Sequence, residues 1–163
     1  MTHDFQFGGE TFEVAGEAAL YWRAQDALLV SDLHLEKASA FALYGQMLPP
    51  YDSVSTLQDI AALCSKYSPA KIISLGDNFH DDDGECRLAE DAAALLVDLT
   101  GKTEWIWITG NHDRAVSGIW GGEVTDSSTS AFRLQSCQAV SAPSFNRRWA
   151  RRARRLPVVA SNA

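Results

Sequence analysis

Three short apolar runs, each stopping abruptly at a polar cluster, constrain this chain more than any other feature. Ala27-Leu28-Leu29-Val30 gives way to Ser31-Asp32-Leu33-His34, the run from Lys71 to Leu75 ends in Gly76-Asp77-Asn78, and residues 103–109 end in Gly110-Asn111-His112-Asp113. Uninterrupted runs of this length are the pattern of strands buried on both faces. Between the first and second runs, Val54, Leu57, Ile60, Ala61, Leu63 and Cys64 predict a helix over 52–67 that follows Pro49-Pro50, with Asp52 or Ser53 suited to cap its start. Leu88, Ala92, Leu95, Leu96 and Leu99 predict a second helix, with Gly101 placed to end it. Strand and helix alternate, which makes a mainly parallel sheet covered by helices the economical architecture. Ahead of this unit, Phe5-Gln6-Phe7, Gly8-Gly9 and residues 11–14 read as a hairpin, and residues 18–22 as a further strand.

The polar clusters all fall at carboxyl ends of strands, and in an α/β sheet those ends share one edge, where ligand sites form. Asp32-x-His34 in an extended segment would place both side chains on one side, because the pleat repeats every two residues. Carboxylate and imidazole could then grip one ion. Gly76 and Gly110 let backbone come close to a bound anion. Asp77 is the best candidate to bridge two cations, since a carboxylate has two oxygens and two-metal phosphoester enzymes hold their ions about 3.5–4 Å apart. Such a pair polarises phosphoryl oxygens and lowers the pKa of a shared water, giving a hydroxide nucleophile near neutral pH.

Composition bounds the rest. A chain of 163 residues, 46% hydrophobic and 21% charged, suits one globular core rather than a disordered or membrane-embedded class. No apolar stretch approaches the roughly 20 residues that cross a bilayer, and Met1 to Phe5 lacks the layout of a secretion signal, so a cytoplasmic location and no membrane partner are expected. Cys64, Cys86 and Cys137 are too few and too scattered for a disulfide framework and read as buried or idle thiols. The net charge of −7 conceals two segments: all 21 acidic residues occur by Asp126, with seven of the 14 basic ones, whereas residues 127–163 hold seven arginines and no acid, Lys or His.

The motifs Asp32-x-His34, Gly76-Asp77 and Gly110-Asn111-His112-Asp113 resemble the first three blocks of the calcineurin-like metallophosphoesterases. That resemblance implies an α/β fold built as a β sandwich flanked by helices. More narrowly, Ser31-Asp-Leu-His-Leu-Glu-Lys37, Gly45-Gln-Met-Leu-Pro-Pro-Tyr-Asp52 and Leu75-Gly-Asp-Asn-Phe-His-Asp81 are similar to the ligase-associated DNA damage response endonucleases of the PdeM group, over about residues 5–126. The resemblance makes Asp32 and His34 ligands of one metal, Asp77 the bridge and Asn111 a ligand of the second. His112 becomes the catalytic imidazole that helps the leaving oxygen depart, with Asp113 as its orienting partner. His80, three residues beyond the bridge, is a candidate substrate contact. Two divalent ions are implied, Mn²⁺ being favoured because carboxylate, imidazole and amide ligands suit it. Phosphodiester hydrolysis on nucleic acid by a metal-bound hydroxide follows, in a DNA repair setting with a ligase and a helicase as functional associates.

The superfamily pattern continues with another His and a Gly-His-x-His block, and this chain has no His after His112. The expected fold is therefore C-terminally incomplete, with the second metal site the poorer of the two. On this reading residues 1–126 are the amino-terminal portion of the metallophosphoesterase domain. Residues 127–163 are an atypical Arg-rich tail, disordered or translated in a shifted frame; a basic arm for nucleic acid is the rival reading. A catalytically dead derivative that still binds metal or phosphate, and a phosphatase for small molecules or phosphoproteins, are the competing functions.

Overall fold

The computed structural model describes residues 3–16 and 18–125. The tail, Cys137 and any second sheet supplied beyond residue 125 lie outside the described residues. Among the described residues, seven strands form one sheet in unbroken chain order: β1 (Asp4–Phe7), β2 (Glu10–Gly16), β3 (Ala19–Trp22), β4 (Ala27–Val30), β5 (Lys71–Ser74), β6 (Glu104–Ile108) and β7 (Glu123–Thr125). The first four are an antiparallel meander, as the hairpin signals predict, and β4 through β7 are parallel. Helices α1 (Lys37–Ala42) and α2 (Asp52–Tyr67) connect β4 to β5, while α3 (Gly84–Arg87) and α4 (Glu90–Lys102) connect β5 to β6.

The predicted span of α2 matches, but its start is built differently. Tyr51 stands at the cap position and makes no side-chain cap bond. Asp52 and Ser53 are committed to the neighbouring helix instead: Asp52 Oδ2 accepts the Ala38 N–H at 3.0 Å, and Ser53 Oγ accepts the Glu36 N–H at 2.8 Å while donating to Glu36 Oε1 at 2.9 Å. One helix start thus satisfies the orphan donors of another. Gly101 does not end α4, which continues to Lys102 and gives way at an extended Thr103.

Parallel strands laid down in order through right-handed crossovers receive their helices on one face. Leu57 and Ile60 of α2 and Ala92, Leu96 and Leu99 of α4 accordingly pack with Leu28, Val30, Ile72, Trp105 and Trp107 in one core. The opposite face carries a second core built from strand residues and their immediate ends, including Phe12, Leu20, Trp22, Leu29, Ile73 and Ile108. β4 contributes alternate residues to each core, which explains why its run is apolar throughout. No helix of the described residues is long and apolar enough to cross a membrane.

Candidate metal centre

The loops after β4 and β5 stay joined beyond the strands. Asp32 N–H donates to the Gly76 carbonyl (3.3 Å), His34 N–H to that of Asp77 (3.0 Å), Leu35 N–H to that of Asn78 (2.9 Å), and His80 N–H back to that of Leu35 (2.9 Å). This irregular ladder brings Asp32, His34 and Asp77 together: each offers a ligand atom, and the three atoms lie within 4.8 Å of one another. The convergence expected from the sequence is present, yet its cause is not the pleat. Asp32 (φ 54°), His34 (φ 44°) and Asp77 (φ 53°) all adopt the left-handed conformation, so this segment is coiled rather than extended. Asp and His tolerate that region better than most residues, and such strain collects at functional sites.

The third loop is tied to the second through Asp77, whose Oδ1 accepts the backbone N–H of Asn111 (3.2 Å) and of His112 (3.4 Å). Gly110 makes this contact possible, because a Cβ there would run into the Asp77 amide nitrogen and Oδ1. Gly76, at φ 100°, faces it, and a Cβ on Gly76 would come within 3.1 Å of the Gly110 Cα. Asn111 and His112 are exposed at the rim. The His112 ring meets those of His34 at 5.5 Å and His80 at 6.2 Å, and His80 also lies 5.8 Å from His34, so three imidazoles cluster beside the carboxylates. Burial pushes the His80 imidazole below its ordinary value, and neighbouring His34 adds to the effect.

One expectation for a neighbouring residue is corrected. Asp113 does not orient His112. It is fully buried, and its carboxylate accepts from Asn78 N–H (2.8 Å), Asn78 Nδ2 (2.6 Å), Phe79 N–H (3.3 Å) and Gly110 N–H (2.8 Å). Burial raises its carboxyl pKa, against those four donors, which lower it. Asn78, which belongs to a cluster of ligand-type residues, turns inward as well: Nδ2 also donates to the Ile108 carbonyl at 3.0 Å, and Oδ1 accepts from Ser74 Oγ. Together they staple the second and third loops from behind. Sequence reasoning also missed Glu85, a buried carboxylate that accepts from Ser117 N–H, Ser117 Oγ and Ile119 N–H and so fixes the segment that follows the third motif. No periodicity marks such residues, because the partners that tie one loop to another lie thirty or more positions away.

Two carboxylates and an imidazole at this spacing fit a divalent cation of borderline hardness. The buried Nδ1 of His34 has no hydrogen-bond partner among the described residues, and its Nε2 stands 3.8 Å from Asp32 Oδ1. A ring held in this way, with neither nitrogen tightly bonded, is available as a ligand. Beside Asp32 a cleft of about 540 Å³ opens between the end of β4 and one side of α2.

The model of the calcineurin-like phosphoesterase family matches residues 27–160. Among solved structures, the nuclease MPE of Pseudomonas putida is similar, with 26% identity and a TM-score of 0.59 over 77% of this chain and 60% of that one. This chain thus spans about three fifths of the nuclease's length. No curated protein matches. With all three motif loops inside the matched span, the chain belongs to the calcineurin-like phosphoesterase family.

Proposed function

We propose that the chain is a divalent-metal-dependent phosphoester hydrolase, specifically a phosphodiesterase acting on nucleic acid. The observation that carries this reading is the meeting of Asp32, His34 and Asp77 donors within 4.8 Å, with the third loop hung on the same Asp77 carboxylate. The likeness to a Pseudomonas putida nuclease supports nucleic acid as the substrate class. Asp32 and His34 would hold one ion, Asp77 would be shared between two, and Asn111 would serve the second. The chemistry such ions supply when bound is polarisation of a phosphoryl oxygen and a water of lowered pKa, and Mn²⁺ suits the donor set.

The chain's own residues do the remainder. His112 lies exposed at the rim, where its imidazole can hold a proton for the departing oxygen. His80, stacked beside it, contacts the substrate phosphate or its neighbour. We assign the hydrolase portion to residues 1–126 and a cytoplasmic setting in DNA repair beside a ligase and a helicase, on the strength of the PdeM-like motifs. A second reading is that the chain binds metal without turnover; the small set of converging carboxylate and imidazole donors, three residues among those described, favours it.

An aryl phosphodiester, an aryl phosphomonoester and single-stranded DNA assayed with Mn²⁺, alongside Asp77→Asn, separate these readings. Diester cleavage that disappears in Asp77→Asn is the expected result. Monoester preference would make the chain a phosphatase, and bound metal without turnover would make it the inactive derivative.

A further inference from the structure

His80 stands at the rim of the metal centre with one ring nitrogen unanchored. Its backbone is tied to the first loop, but its Nδ1 is buried and has no hydrogen-bond partner among the described residues. Packing holds the imidazole instead. The Phe41 ring of α1 lies 5.4 Å from it, and the rings of His34 and His112 lie 5.8 and 6.2 Å away. Of these neighbours Phe41 sits on a helix rather than in a motif loop, so the stance of His80 depends on where α1 is held. A ring that acts on a phosphate works only while the shell supporting it is fixed.

Arg87 links α1 to the loop that carries His80. Its Nη2 donates to Asp81 Oδ1 (2.7 Å) and Oδ2 (2.8 Å), and its Nε donates to Ser39 Oγ (3.2 Å). Asp81 is the residue after His80, and Ser39 lies two residues before Phe41 on α1, so one guanidinium ties down both partners of the His80–Phe41 contact. A tight turn brings it there. Gly84 N–H donates to the Asp81 carbonyl, and a Cβ on Gly84 would come within 2.9 Å of the Phe79 Cβ, a closeness that lets α3 fold back and return Arg87 to Asp81. Ser39 Oγ in turn donates to the Glu36 carbonyl at the start of α1. Stability is a poor explanation for this arrangement. The Arg87 side chain is 21% exposed and that of Asp81 40%, and an ion pair so open to water contributes little to folding. A planar fork that reaches two elements at once suits positioning.

We propose that Arg87 is a positioning residue: by bridging Asp81 to Ser39 it holds Phe41 of α1 against the His80 imidazole and keeps that ring at the rim of the metal centre beside His112. This rests on the hydrolase reading above, in which His80 meets the substrate. Arg87 touches no reacting atom, and its contribution passes through His80.

The test is a double-mutant cycle on the full chain, read in two ways. Arg87→Met keeps an apolar stem and removes the donors, Ser39→Ala removes the α1 end of the bridge, and each is combined with His80→Ala. Urea unfolding confirms that every variant is folded. The first readout needs no metal: the His80 ring-proton resonances, assigned by their loss in His80→Ala, are recorded at about pH 8, where an ordinary imidazole is neutral. They should move in Arg87→Met and in Ser39→Ala, while those of His3 stay in place. The second readout is turnover of an aryl phosphodiester with Mn²⁺. Arg87→Met should lower kcat/KM by up to about 100-fold, the loss that a misplaced group produces. In the His80→Ala background the same substitution should change kcat/KM by no more than about twofold, the resolution of such a cycle. Unmoved His80 resonances overturn the proposal. So does an Arg87→Met loss that persists undiminished in the His80→Ala background, which would mean that Arg87 meets the phosphate itself or supports the fold at large. Absence of turnover in the parent, or turnover that survives Asp77→Asn, overturns the hydrolase reading instead, and the metal-free resonances still decide whether the bridge sets the ring.

Discussion

Asp113 shows how a residue in a catalytic-looking motif can be wholly structural. Its carboxylate is the shared acceptor for four N–H groups on two loops. Truncation leaves those donors buried and unpaired, each costing about 1–3 kcal/mol when fully unsatisfied. Asp113→Ala should therefore lower stability by at least about 3 kcal/mol in urea unfolding; a loss under about 1 kcal/mol would show that water replaces the carboxylate. Gly110→Ala acts at the same seam from the other side. Its Cβ displaces the Asp77 carboxylate, so it should cost about 1–3 kcal/mol and weaken Mn²⁺ affinity about 10- to 100-fold by calorimetry. Thiol reactivity separates two cysteines that the sequence leaves alike. Cys86 is exposed, whereas Cys64 is half-buried and burial raises its thiol pKa. In a Cys137→Ser background, one thiol per chain should react promptly with a disulfide reagent at pH 8 and the second slowly; equal rates would contradict the burial of Cys64.

At the scale of elements, the strand within each apolar run is legible because burial on both faces writes an unbroken apolar stretch. Helix α2 is equally legible, since its apolar stripe repeats along sixteen residues. The short α1 and α3 escape notice, having six and four residues and too few turns to show a period. α1 depends instead on contacts from α2. Ser53→Ala removes both the acceptor for Glu36 N–H and the donor to its carboxylate in a buried setting. It should destabilise the protein by about 1–3 kcal/mol and speed amide exchange in α1 while leaving α4 protected. Uniform acceleration across both helices would place Ser53 in the global core rather than at a local cap.

For the molecule as a whole, binding of an ion to a site assembled from two loops is coupled to folding, because the unfolded chain does not hold Asp32, His34 and Asp77 together. At 100 times its dissociation constant Mn²⁺ should stabilise the fold by about 2.7 kcal/mol. For a chain of this length that corresponds to a rise in Tm of about 5–10 °C. Asp77→Asn should abolish the rise, and titration of the parent should show one tightly bound ion per chain, with the poorer second site filling only at higher Mn²⁺. An unshifted Tm in the parent would remove the metal centre from the reading.

By itself the amino-acid order determined where the chemistry sits along the chain. Polar clusters, two of them opened by glycine, follow apolar runs, and such runs read as buried strands whose ends share an edge. Tertiary structure alone decided which members of each cluster face outward. Asp32 and Asp77 point to a common centre while Asn78 and Asp113 turn in to staple the loops, and nothing in local spacing distinguishes the two fates. The left-handed backbone at Asp32 and His34 is likewise invisible in the letters, because it is imposed by hydrogen bonds to a loop some forty residues away. Donor identity is a local property of the chain, but donor direction is set by long-range pairing, and for that reason the motifs could be read and their geometry could not.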